Sequence, residues 1–143
     1  MRMIKPTCHF RRDFERAKKG PLGHRLDVML AKVTDMLATD IPLPARFHDH
    51  PLSGVFDDCR DCHIRNDLVL IYRKPDVHTL ELMRLTCDVF RLMKVRNAKE
   101  RAQPFEPLLP TTTTVAAIEE GRLGGLTGFV NCKALLKSLN ADD

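Results

Sequence analysis

At 143 residues, 43% hydrophobic and 29% charged, the chain has the length of one domain with an appendage and enough apolar material for a real core. No run approaches the roughly 18 apolar residues of a membrane helix, and Met1 to Lys19 is basic and broken by charges, without the apolar stretch of a secretory signal. A cytoplasmic protein is therefore expected, its five cysteines free thiols rather than a disulfide framework.

Met3 to Thr7 reads as a short strand. Phe10, Phe14 and Ala17 recur at helical spacing and Gly20-Pro21 supplies a stop, which predicts a helix over His9 to Lys19. A second helix carries Leu26, Met29, Leu30, Val33, Met36 and Leu37 on one face and ends before Pro42 and Pro44. From Leu52 to Thr86 the period shortens to two. Strands are expected over Cys59 to Arg65, Leu68 to Arg73 and His78 to Leu85, with turns at Asn66-Asp67 and Lys74-Pro75-Asp76. Two N-terminal helices packed on a small antiparallel sheet is an α+β arrangement.

Beyond Cys87 the character changes. Asp88 to Gln103 is predicted as a helix with Arg91, Lys94, Arg96, Lys99 and Arg101 along its outer side. Pro104, Pro107 and Pro110 then enforce an extended path. A Thr-capped helix over VAAIEEG closed by Gly121, a brief strand over GGLTGFV and a last helix capped by Asn131 complete the chain. The organisation expected is a body over 1–91, a helical linker over 92–103 and a tail over 104–143. That tail has too few core positions to fold alone and needs a surface. Residues 1–103 carry a net +6 and residues 104–143 a net −2. A basic body suits a polyanion and an acidic tail can lie on it, although the imbalance also describes an ordinary solvated surface.

Cys59-Arg60-Asp61-Cys62-His63 spells the attachment pattern of c-type haem. On a strand, side chains alternate between faces, so Cys59 and Cys62 point to opposite sides and cannot grip one cofactor. Zinc would need a second ligand pair, and His48-Asp49-His50 is a weak one. Neither haem nor zinc is expected, and no other cofactor or metal. The same alternation puts Cys59, Asp61, His63 and Arg65 on one face.

The stretch Phe47 to Arg73 resembles the centre of the YafQ-type toxins of the RelE superfamily. The matching elements are Asp49-His50-Pro51-Leu52-Ser53-Gly54, Arg60-Asp61-Cys62-His63 and Asp67-Leu68-Val69-Leu70-Ile71-Tyr72. The likeness extends over roughly residues 3–91. It implies a RelE-like α+β fold and a ribosome-dependent endoribonuclease, an mRNA interferase, working without a cofactor. It also implies His50 and His63 as functional histidines, Asp67 as an acidic partner and Phe90 as a terminal aromatic. Arg60, Asp61, Arg65, Arg73 and Arg84 are the substrate-binding residues expected with them. In such a reaction a base takes the proton of a ribose 2′-OH, an acid protonates the leaving 5′-oxygen, and cations stabilise the phosphorane. Histidine suits both proton transfers, its ordinary pKa lying near neutrality. His9, His24, His48 and His78 read as ordinary surface or core histidines.

Two positions depart from the family pattern. Thr86 stands where the family carries a further catalytic histidine, and losing one acid or base typically costs about 10²–10⁴-fold in rate. Leu68 replaces an aromatic that would offer a base a stacking surface.

The tail segments PFEP (104–107), TVAAIEEGRLGGL (114–126) and KALLKSLNADD (133–143) resemble the C-terminal half of DinJ/RelB-type antitoxins, the part that wraps a toxin. The ribbon-helix-helix part that binds operator DNA has no counterpart. The resemblance therefore implies a toxin silenced by a fused antitoxin-like segment docked on 1–91, near His50, His63 or the basic strand face. Its expected anchors are Leu108, Leu109, Ile118, Leu123, Phe129, Leu135, Leu136 and Leu139. The expected partners are mRNA on the ribosome and the protein's own tail or a cognate DinJ/RelB-like antitoxin, with no membrane and no direct operator DNA. The competing reading is a non-catalytic pseudo-toxin that binds RNA, ribosomes or an antitoxin, and for the tail an unrelated flexible extension.

Overall fold

The computed structural model describes residues 2–21, 23–52, 56–65, 68–86, 93–95 and 108–141, with the backbone alone at 93–95, 108–110 and 141. The sheet is organised around the run LVLIY. Strand β4 (Leu68–Asp76) is buried from Leu68 to Tyr72, as a strand covered on both faces must be. It pairs antiparallel with β3 (Cys59–Arg65) and β5 (Thr79–Thr86). The two-residue β2 (His50–Pro51) extends the β3 side, and β1 (Met3–Pro6) joins β5 in parallel, giving the order β1-β5-β4-β3-β2. The three-strand meander lies where sequence periodicity put it, except that Lys74 to Asp76, expected as a turn, continue β4 and the turn falls at Val77 and His78. The parallel position of β1 was not legible, because partner choice depends on how the intervening helices cross the sheet.

Those helices are α1 (Cys8–Lys18) and α2 (Gly23–Ala38). Thr7 caps α1 by accepting from the Phe10 amide at 3.0 Å, and its hydroxyl donates to the Met83 carbonyl at 2.8 Å, so one side chain fixes the helix start to β5. The turn between the helices is tight: a Cβ on Gly23 would lie 1.9 Å from the Lys18 carbonyl oxygen. Phe10, Phe14, Leu26, Leu30, Val33 and Leu37 bury against Cys62, Leu70 and Tyr72 on one face of the sheet. On the other face Leu52, Cys59, Val69, Ile71 and Met83 form a smaller cluster. Cys59 and Cys62 thus sit in separate cores, as alternation requires. None of the described helices is long and apolar enough to cross a membrane.

The tail packs on the body. α3 (Thr112–Leu123) is capped by Thr111, which accepts from the Thr114 amide at 3.3 Å, and it lies on β5 with Ile118 fully buried in the smaller cluster. Gly121 does not end this helix. It lets the helix approach the sheet, since a Cβ there would stand 2.5 Å from Met83 Cε and 2.8 Å from Glu81 Oε2; the helix ends at Gly124, whose φ is 79°. Residue 129 makes a single antiparallel bridge with Ile4, exchanging two hydrogen bonds of 2.8 Å in place of the predicted strand. α4 (Cys132–Ala141) starts at Asn131, whose Oδ1 accepts from the Ala134 amide at 2.8 Å. It packs on α2 and buries Cys132, Leu135 and Leu139 in the main core.

Among the expected anchors, Ile118, Leu135 and Leu139 are fully or nearly fully buried, and Phe129 and Leu136 pack partly against the core. Leu123 is not an anchor: it is 87% exposed. Five residues of helix turn it about 140° from the direction of Ile118. Leu108 and Leu109 lie in β7 (Leu108–Pro110), which pairs antiparallel with β6 (Met93–Val95). Residues 93–95 are therefore strand where a basic helix was predicted, because the extended, proline-bounded segment offers them a ladder that local propensity does not foresee. Leu135→Ala is expected to cost about 2–5 kcal/mol, read from the urea midpoint of the full chain. A loss well under 1 kcal/mol would mean that α4 is not part of the cooperative fold.

Candidate active site

The HDH triplet acquires its geometry from three elements. A 3₁₀ turn at Ala45–Phe47 ends on His48, whose backbone is left-handed (φ 48°). Asp49 turns to the helix-covered face, where it accepts from the Tyr72 hydroxyl at 2.5 Å and pairs with Arg60 at 3.2 Å. His50 then enters β2 opposite Asp61 of β3. Asp49 braces the loop, and its two neighbours are histidines presented beside β3.

Asp61 is buried, 4% exposed, with His50 Nδ1 2.8 Å from its Oδ1. When His50 is protonated that contact is a charge pair, its Nδ1 also lying 2.7 Å from the His48 carbonyl, to which it can donate. With Nδ1 committed inward, Nε2 of the half-exposed His50 is left to a substrate. Burial pushes the Asp61 carboxyl up to about 6 against the opposing pull of His50. The folded protein therefore keeps a proton that the unfolded chain releases near the ordinary value of 3.8. Stability from this group is complete below that value and is lost as pH rises through about 6. Asp61→Asn is accordingly expected to gain stability on the parent between pH 4 and pH 7 in urea titrations. A difference independent of pH would contradict the burial of an ionising Asp61.

His63 lies at a β-bulge between residues 63 and 65, and the bulge breaks the strict alternation read from sequence. His63, Ile64 and Arg65 line one cleft of about 300 Å³ together with Met29, Lys32, Val33, Arg46 and Phe47. Three cations and a histidine on an open cleft suit an anionic ligand. The rings of His48 and His63 meet edge to face, centroids 5.6 Å apart. Burial first, then the neighbouring His48 and His50, hold the His63 imidazole below its ordinary pKa, so the neutral, proton-accepting form prevails at pH 7. Sequence reading passed over His48, although its place one residue from Asp49 in the HDH triplet was the signal.

The other expected residues divide. Arg60 is half-buried on Asp49, which makes it a brace for the loop. Arg73 stands at the far end of the strand pair, opposite Cys59, with Nε 3.7 Å from Asp58 and 3.6 Å from Glu81. Asp58 also takes Arg122 of α3 at 2.7 Å, so the tail meets the sheet there. Arg84 is not at a substrate surface: it is 4% exposed, with Nε 2.5 Å and Nη2 3.0 Å from the two oxygens of buried Asp13, and Nη1 3.2 Å from Thr114 Oγ1. Leu68, read as a lost stacking surface, is fully buried in the main core. Thr86 is buried on β5 and shares Val69 as cross-strand neighbour with His63, which puts the two on the same face about 10 Å apart. Asp67 and Phe90 lie outside the described residues.

This α+β architecture is that of toxins from type II toxin–antitoxin systems. A chain in the crystal structure of the E. coli DinJ-YafQ toxin-antitoxin complex superposes with a TM-score of 0.52 at 31% identity, over 59% of this chain and 90% of that one. A copper-bound mutant toxin from Helicobacter pylori gives 0.53 at 31% identity, over 60% and 93%. The family model described as a bacterial toxin of type II toxin-antitoxin system, YafQ, matches residues 2–88, and the chain belongs to that family. Among curated relatives, the mRNA interferase toxin YafQ of E. coli B/BL21-DE3 is 32% identical over 76 residues, 52% of this chain and 79% of its own length. The Haemophilus influenzae protein named as a YafQ toxin is 51% identical over 37 residues, 26% of this chain, and the E. coli K12 mRNA interferase toxin YafQ is 41% identical over 44 residues, 31% of this chain. Those two matches span only 36% and 48% of the relatives' own lengths.

Proposed function

We propose that this protein is an mRNA-cleaving toxin of the ribosome-dependent kind, in which His63 accepts the 2′-hydroxyl proton and His50, oriented by Asp61, donates to the leaving oxygen. The observation that carries the reading is His63, held neutral at the edge of a cleft with Lys32, Arg46 and Arg65. Asp61 compensates the charge of His50 when it holds a proton, and the cleft cations compensate the phosphorane. The names of the E. coli relatives support the substrate class. Folded residues 1–91, freed of the tail, should cut message on programmed ribosomes into fragments ending in 2′,3′-cyclic phosphate with new 5′-hydroxyl ends, and the full chain should cut it less. Intact message under those conditions would refute the assignment.

Residues 104–143 act, in this reading, as a neutralising segment held in cis at the high effective concentration of a tether. Their net negative charge and the burial of Ile118, Leu135 and Leu139 on the body support it. All the residues lining the His63 cleft come from 29–65, so the segment works from the β5 and α2 side rather than by filling that cleft.

One observation favours a second reading, a pseudo-toxin that binds RNA or a partner without cutting. Position 86, on the His63 face, carries a hydroxyl that cannot exchange protons near neutrality. Thr86→His in residues 1–91, without the neutralising tail, should raise cleavage by about 10²-fold or more if the remaining groups are competent. An unchanged rate, with parental RNA binding, would favour the pseudo-toxin.

A further inference from the structure

We infer that Cys8, His9 and Glu120 form a site for a zinc(II)-type divalent cation that joins the first turn of α1 to α3. The three side chains converge from elements far apart in the chain. Cys8 Sγ lies 3.7 Å from His9 Nδ1 and 3.1 Å from Glu120 Oε1, and His9 Nδ1 lies 2.9 Å from the same oxygen. With Zn–S near 2.3 Å and Zn–N or Zn–O near 2.0–2.1 Å, tetrahedral ligands stand about 3.3–3.7 Å apart. Cys8 and His9 already have that separation, and Glu120 reaches it by withdrawing a few tenths of an ångström.

The donor set selects the ion. A thiolate, an imidazole and a carboxylate suit a borderline cation, whereas magnesium and calcium want oxygen alone. Glu120 is aimed by a second interaction, its Oε2 accepting from the Cys8 amide at 2.8 Å. One oxygen is thereby fixed by backbone and the other directed at the thiol and the imidazole, as orienting partners of metal ligands do. Cys8 is exposed, and the His9 and Glu120 side chains are 20% and 25% accessible. An ion can enter and keep a water as its fourth ligand. On binding, the metal displaces to solvent the thiol proton that Cys8 donates to Glu120 Oε1. Among the described residues this is the one such convergence of His, Cys, Asp or Glu ligand atoms. Glu120 lies beyond the residues 2–88 matched to the toxin family, so the site belongs to this chain's joined body and tail.

The test uses the full chain, reduced and freed of metal. Cobalt(II) should bind one per chain with the absorption of a four-coordinate thiolate complex, and zinc should displace it. Cys8→Ser should abolish the thiolate-to-cobalt band and weaken zinc competition against a chromophoric chelator by at least about a hundredfold. His9→Gln should weaken zinc similarly while retaining the band. Zinc should raise the thermal midpoint of the parent and not that of Cys8→Ser. A parent without the band, or a band surviving in Cys8→Ser, would overturn the proposal. So would equal zinc affinity in parent and Cys8→Ser, which would assign the ion to His48, His50 and His63.

Discussion

His63→Gln is expected to reduce ribosome-dependent RNA cleavage by about 10²–10⁴-fold, the loss typical of removing one acid or base, or roughly 3–5 kcal/mol of barrier. Glutamine keeps much of the size and polarity of imidazole but cannot take a proton, so RNA binding should persist while turnover falls. Burial and the neighbouring imidazoles lower the His63 pKa. The acid limb of the rate should therefore have its midpoint below the ordinary histidine value of 6.5, at which an exposed base would be half protonated. His50→Gln should lose a comparable factor, and Asp61→Asn, acting through His50, a smaller one. A His63→Gln protein that cuts within threefold of the parent would remove His63 from the chemistry and leave the cationic cleft as a binding surface.

Asp13→Ala is expected to destabilise the fold by about 3–5 kcal/mol, because it leaves the Arg84 guanidinium buried without its counter-ion. Asp13 accepts from four donors: two from Arg84, the Leu85 amide at 3.1 Å and Arg16 Nη1 at 3.4 Å. Asp13 and Arg84 are only 3% and 4% exposed, so bulk solvent is a poor substitute for the lost carboxylate. Against a typical stability of about 5–15 kcal/mol, such a loss takes much of the margin. Asp13→Asn, which keeps hydrogen-bonding capacity and removes the charge, should cost less. Urea titrations of the full chain check the order, and an Asp13→Ala midpoint close to the parent's would mean that Arg84 finds water on losing its partner. The Thr114 hydroxyl of α3 completes this network, so the tail contributes to the same buried charge pair.

Much was legible in the residues alone. The two helices, the three central strands, the Asn131 cap and the separation of Cys59 from Cys62 follow from period, turn chemistry and side-chain alternation, all properties of neighbours along the chain. The motif DHPLSG with RDCH pointed to the family that the comparison of residues 2–88 establishes. His50 and His63 were marked by that motif.

What folding decided concerns contacts between segments distant in sequence. Arg84 looked like one more basic side chain, and only the position of α1 turns it into the buried partner of Asp13. His48 looked incidental until a left-handed residue and a β-bulge brought its ring to His63. Gly121 read as a helix stop and serves instead as the place where α3 meets Met83. Cys8, His9 and Glu120 carry no spacing signal, because 111 residues separate the histidine from the carboxylate. Local propensity and periodicity are set by residues within a few turns or strands. The pairing of a buried charge, the meeting of two rings and the convergence of three ligands depend on which surfaces are covered, and that is settled when the tail helices pack on the sheet and on α2.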